Sequence, residues 1–109
     1  MLLNGGELEG ARLLSPKTIE LILSDNLPAG VEMFFNYGYG LGFSLLKDRI
    51  RGGRLASTGT AGGGGVANTF FGLDRADDIT WMVWAQALPC CQWKLNNMFE
   101  TLVHQAIID

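Results

Sequence analysis

Four consecutive glycines, Gly62, Gly63, Gly64 and Gly65, constrain this chain more than any other feature. Strand-like segments flank the run, a short one beginning at Leu55 and a longer one over 66–73 that contains Phe70 and Phe71. Between two strands, such a run predicts a tight β connection, because glycine supplies positive φ or lets backbones approach closely. It does not form a phosphate loop. No lysine follows the glycines, and Gly-x-Gly-x-x-Gly occurs nowhere in the chain. Nearly half of the 15 glycines lie between Gly52 and Gly65.

The segments around this run have different periods. Ser15-Pro16-Lys17-Thr18 opens a helix, with Ser15 as N-cap and Pro16 in the first turn. Ile19, Ile22 and Leu23 share one face of it, and the helix is expected to stop near Asp25-Asn26, before an irregular loop over 27–37. Residues 39–46 read as one strand, in which Gly40 and Gly42 alternate with Leu41, Phe43 and Leu45. Residues 47–54 form a basic, solvated turn with Lys47, Arg49, Arg51 and Arg54. Asp74 to Asp78 form a polar turn, and 79–88 is a further strand rich in β-branched and aromatic residues, closed by Pro89. A final helix over 92–108 carries an apolar stripe of Leu95, Met98, Phe99, Leu102, Val103, Ala106 and Ile107, read as core. The predicted fold class is α+β. Three to four antiparallel strands form a sheet, with N- and C-terminal helices packed on it, and residues 1–109 make a single partial domain.

Composition narrows the function classes. With 48% hydrophobic residues, 3 Trp and 6 Phe the chain can form a core, so disorder is excluded. Eight basic residues against 11 acidic ones give a net charge of −3, without the basic excess that grips nucleic acid. No apolar run reaches a membrane span, and the first residues do not read as a signal peptide, so a soluble domain with no membrane partner is expected and no compartment is assigned. Cys90 and Cys91 are adjacent and read as two thiols, with no disulfide framework and no spaced set of zinc ligands. His104, the single histidine, reads as a structural residue of the last helix with no second metal-ligand type near it; no metal and no cofactor are expected.

Two short motifs carry the pattern of serine acyl transfer, Ser44-Leu45-Leu46-Lys47 (Ser-x-x-Lys) and Ser24-Asp25-Asn26. Neither is read as catalytic. A working Ser-x-x-Lys opens a helix, where residues three apart share a face. In a strand they point to opposite faces. The order of the two motifs is also reversed. No catalytic residue is therefore assigned.

Several segments taken together resemble a known family. Met1-Leu2-Leu3-Asn4-Gly5-Gly6-Glu7-Leu8, then Arg12 to Thr18, then Tyr39-Gly40-Leu41-Gly42-Phe43, then Gly64-Gly65-Val66-Ala67-Asn68-Thr69-Phe70-Phe71-Gly72-Leu73-Asp74 and the tail from Leu102 follow, in order, the pattern of the serine β-lactamase-related hydrolases. That superfamily includes class C β-lactamases, esterases and D-alanyl-D-alanine carboxypeptidases. The likeness is to its C-terminal part, and Met1 resembles an internal methionine of the longer pattern. The resemblance implies a partial β-lactamase-like fold whose parent hydrolyses an ester, β-lactam or peptide-like amide through an acyl-enzyme. It implies that the nucleophile and Tyr-x-Asn motifs lie in upstream regions, and that the chain alone is inactive. The family's Lys-Thr-Gly-like motif falls on Thr60-Ala61-Gly62, or in a rival register on Gly63-Gly64-Gly65. In both registers the first residue of the motif is replaced. Thr60, Ala61, Gly62 and Gly63 are thus the expected substrate-side residues.

The resemblance also implies that the strand over 79–88 is an open edge, so that self-association or a complementary upstream fragment is the expected partnership. Two other readings stand beside it. One is a non-catalytic α+β module pairing through that edge strand. The other is a small-ligand module using the basic turn over 47–54.

Overall fold

The computed structural model describes residues 1–90 and 94–107. Expectations that fall on Cys91, on the start of the last helix at Gln92 and on Ile108 lie outside those residues. A small hairpin comes first, β1 (Glu7–Leu8) and β2 (Ala11–Arg12), turned by Glu9 and Gly10, both at positive φ. Helix α1 (Pro16–Ile22) follows. The Ser15 hydroxyl accepts the Thr18 N–H at 3.1 Å, and Pro16 opens the helix as the sequence predicts. Ile19 is its fully buried anchor.

The main sheet has five antiparallel strands in the order β3 (Tyr37–Tyr39), β4 (Ser44–Leu46), β5 (Ala61–Gly64), β6 (Phe70–Asp74) and β7 (Ile79–Val83). It is the α+β layer expected, with more strands, because two segments behave differently from their sequence reading. Residues 39–46 are not one strand but a hairpin. The chain reverses between Gly40 and Phe43, where the Gly40 N–H donates to the Phe43 carbonyl at 2.8 Å and Gly42 takes φ +92°. A Cβ at Gly40 would stand 2.1 Å from the Ile22 carbonyl oxygen.

The glycine run, in turn, is a strand and not a connection. Gly62, Gly63 and Gly64 pair with Gly72, Phe71 and Phe70, and the turn comes after them, at 65–69. Close approach, not positive φ, is what these glycines provide. A Cβ on Gly62 would meet the Phe71 carbonyl oxygen at 2.7 Å, and one on Gly63 would touch the Phe71 ring at 3.0 Å.

Residues 47–54 also depart from the solvated turn. They contain a short helix, α2 (Arg49–Gly52), capped by the Asp48 carboxylate, which accepts the N–H groups of Ile50 and Arg51 at 2.8 and 3.1 Å. The last helix is α3 (Leu95–Gln105).

Cross-strand partners share a face of the sheet. One face collects Leu45, Ala61 and Leu73 with Leu2, Leu3, Leu23 and Phe43. The other collects Leu46, Ala56, Phe70 and Trp81, and α3 packs on it through Leu95, Phe99 and Val103. Only half of the predicted apolar stripe is core. Met98 and Leu102 are 60% and 62% exposed, because polar residues take the inward positions. Glu100 is one of these. It accepts from Arg54 Nε at 2.8 Å and from Nη2, and the two side chains are 6% and 12% exposed. Arg54 also donates to Asn97 Oδ1 at 2.9 Å. This buried, bidentate pair ties the end of α2 to α3, and removing either partner would strand a buried charge.

Gly72 is as tightly confined as Gly40. A Cβ there would lie 2.1 Å from the Trp81 ring, which crosses it on the α3 face. Gly72→Val is expected to destabilise the chain by about 3 kcal/mol through overpacking. Urea unfolding followed by far-UV circular dichroism would measure it, and an unchanged midpoint would contradict this packing.

Candidate functional site

The expected substrate-side residues lie at the start of β5, and they do not all face the same way. The Thr60 hydroxyl is turned inward, where it donates to Asp74 Oδ2 at 3.0 Å. Its carbonyl accepts the Leu46 N–H at 2.9 Å. Ala61 is buried in the core on the opposite face from α3. Gly62 pairs with Ser44 on one side and Gly72 on the other, and its carbonyl also accepts the Ser44 hydroxyl at 2.9 Å. Gly63 pairs with Phe71 alone. The β4–β5 register ends at Gly62, so Gly63, Gly64 and Gly65 run on past the end of β4.

An open cleft of about 760 Å³ lies along this stretch. Gly62 and Gly64 share the α3 face of the sheet and leave its floor without side chains, while the Trp81 ring covers Gly72 beside them. Phe34, Phe70 and Trp81 supply aromatic wall, while Arg54 and Asn97 supply polar wall. The Arg54 charge is already matched by Glu100. The cleft is therefore largely apolar, with Lys94 adding a positive charge to its wall.

The two serine motifs are taken up by the fold. Ser44 and Lys47 do not meet, because Lys47 Nζ lies 3.4 Å from Asp25 Oδ2 on the far side of β4. Asp25 instead joins the exit of α1 to β3. Its Oδ1 accepts the N–H groups of Leu27 at 3.1 Å and Tyr39 at 3.0 Å. These backbone donors, with Lys47, hold its carboxyl below the usual range. Gly38 makes room for it, since a Cβ there would stand 2.4 Å from the carboxylate. Three of the four cations of the basic turn are likewise paired. Arg51 pairs with Glu32 and stacks 4.6 Å over Phe35, while Lys47 pairs with Asp25 and Arg54 with Glu100.

A second cluster has no signal in the sequence. Asp74, expected in a polar turn, is the fully buried last residue of β6. Its Oδ2 accepts from Ser57 N–H at 2.7 Å and from Thr60, and its Oδ1 accepts from Ala76 N–H at 2.9 Å and Asp77 N–H at 3.3 Å. Burial pushes its carboxyl up, but these donors outweigh it and hold the group ionised below the ordinary value. His104 stands over it, with Nε2 3.5 Å from Asp74 Oδ2 and 3.7 Å from Asp77 Oδ2. The expectation that no second metal-ligand type lies near His104 is thus overturned. Residues thirty apart in sequence meet here because α3 folds back over the β6–β7 turn.

Asp25 yields a pH prediction. Its folded pKa is depressed, so its contribution is complete above the unfolded value near 3.9 and is lost as pH falls through the folded value. Asp25→Asn is expected to lower the urea midpoint at pH 7, with the gap to the parent chain closing below about pH 4. A gap that stays constant over this range would contradict the assigned hydrogen bonds.

No protein-family model matches the sequence, and no curated protein matches it. Solved structures do match. EstCE1, a hydrolase with promiscuous acyltransferase activity, aligns with a TM-score of 0.78 at 19% identity, over 94% of this chain and 26% of its own. Simvastatin synthase (LovD) from Aspergillus terreus aligns with a TM-score of 0.76 at 19% identity, over 99% of this chain and 32% of its own. A mutant of that synthase gives 0.75 at 20% identity, over 95% and 31%. The chain thus spans about a quarter to a third of the length of the structures it matches. Among the described residues no helix is long and apolar enough to cross a membrane. Over its described residues the chain thus has the α+β fold of one part of EstCE1 and of simvastatin synthase.

Proposed function

We propose that this chain supplies the C-terminal part of a serine β-lactamase-related acyl-transfer enzyme acting on a small ester, β-lactam or peptide-like amide, and that it is inactive alone. The observation that carries the reading is the shared fold across 94% to 99% of the chain with a hydrolase and an acyl-transferring synthase. The engagement of Ser44 and Lys47 with other partners supports inactivity. Acyl transfer needs a nucleophile with a base in reach, and the Ser44 hydroxyl is given to Gly62 while Lys47 is held by Asp25. The geometry of β5 favours the second register for the substrate-side motif. Thr60 and Ala61 are committed inward, whereas Gly63, Gly64 and Gly65 extend past β4 with backbone free of that neighbour. An acyl amide or ester could align along such a bare strand, as peptides do at sheet edges.

The test is turnover of a p-nitrophenyl ester and a chromogenic cephalosporin by the purified chain. No turnover above buffer is expected, and Ser44→Ala should change nothing. Hydrolysis abolished by Ser44→Ala would overturn the reading.

A second reading rests on β7. It is an edge strand of the sheet, with Met82 59% exposed and the following Trp84 81% exposed. A long apolar edge recruits a neighbour. Self-association through it is expected to give a dimer by light scattering that Trp84→Lys disperses. A monomer at high micromolar concentration would count against it.

A further inference from the structure

The cluster at the β6–β7 turn combines three ligands of two types that point at one another. The ligand atoms of Asp74, Asp77 and His104 all lie within 4.8 Å of one another. His104 Nδ1 is 2.9 Å from the Glu100 carbonyl oxygen. A carbonyl can only accept, so Nδ1 carries the proton. In the neutral ring Nε2 is then a bare lone pair, on a side chain only 4% exposed, aimed at two carboxylate oxygens at 3.5 and 3.7 Å. Three acceptors facing one another repel unless a positive charge lies between them.

We propose that Asp74, Asp77 and His104 hold a divalent transition-metal ion, zinc being the best fit, that fastens α3 to the β6–β7 turn. Two ligands at about 2.0–2.1 Å from a tetrahedral zinc stand about 3.3–3.4 Å apart, close to the 3.5 and 3.7 Å that separate His104 Nε2 from the two carboxylates. One imidazole and two carboxylates give a neutral site with Zn²⁺. The Nδ1–H bond to a backbone carbonyl is the outer contact that orients a metal-bound histidine. Asp74 Oδ2 is already hydrogen-bonded by Ser57 and Thr60, as ligating carboxylates are. Asp77, 38% exposed, provides the way in and leaves a remaining position to water. The site lies at the far end of β6 from the glycines of β5 and does not depend on acyl transfer.

The test is titration of the chelator-treated full chain with Zn²⁺, followed by calorimetry and thermal melting, and with Co²⁺, followed by absorption. One equivalent is expected to bind and raise Tm by several degrees. Asp77→Ala, at an exposed position, and His104→Phe, which keeps a ring beside Trp81, should each weaken binding by at least a hundredfold. The Co²⁺ complex should lack a thiolate charge-transfer band, and Cys90→Ser/Cys91→Ser should bind as the parent does. The proposal is overturned if no ion binds at millimolar Zn²⁺. It is also overturned if binding survives both site variants, or if it vanishes with the cysteines. Nitrogen-15 spectra of the metal-free chain provide a readout that needs no variant. A His104 ring protonated on both nitrogens at pH 7 and unmoved by Zn²⁺ would mean that a proton fills the place assigned to the metal.

Discussion

The Asp74 carboxylate holds together the end of the molecule on which α3 rests. It is buried, ionised and accepts from four donors in two stretches of chain, Ser57 and Thr60 in one and the N–H groups of Ala76 and Asp77 in the other. A buried carboxylate is tolerated only when its lone pairs are occupied in this way. By meeting that need, the fold fixes the 57–60 loop against β6, sets the start of β5 and shapes the β6–β7 turn that receives His104. The Arg54–Glu100 pair does the same work one turn earlier on α3. Two buried charges, not the apolar stripe alone, thus decide how α3 is rotated on the sheet, and that rotation leaves Met98 and Leu102 facing outward.

The glycines have a packing role. Gly63 lies beneath the Phe71 ring, and Gly72 beneath Trp81. A large ring lying over a neighbouring glycine restores the contact that the missing side chain would have made. Gly62 and Gly64 have no such cover, and the floor of the cleft is bare where they lie. The same residue type therefore closes the core in one place and opens it in the next. The difference comes from which cross-strand partner carries an aromatic ring.

Much of the architecture is visible in the local pattern. Ser15 and Pro16 announce α1, the apolar segments over 66–73 and 79–88 overlap β6 and β7, and the periodic tail announces α3. Local pattern fails where the backbone must turn inside an apolar run. Residues 39–46 alternate like a strand, yet Gly42 at positive φ folds them into a hairpin. Four glycines read as a connection become a strand, because their hydrogen bonds are supplied by β4 and β6 and not by anything nearby in sequence. Along the expected substrate-side stretch, the direction of the side chains was not legible. Thr60 and Ala61 turn inward because Asp74 and the core claim them.

The sequence by itself determined the fold class, the first and last helices, the rejection of Ser44 with Lys47 as a catalytic pair and the likeness to serine β-lactamase-related hydrolases. These rest on period, on turn chemistry and on motif order, which are properties of neighbouring residues. Only the tertiary structure decided that Arg54 meets Glu100 across 46 residues, that Asp74 is a buried acceptor and not a turn residue, and that His104 faces two carboxylates. Charged residues look solvent-exposed in a one-dimensional pattern because burying a charge alone is prohibitive. What makes burial possible is a partner, and the partner is brought close only when the sheet and α3 close on each other.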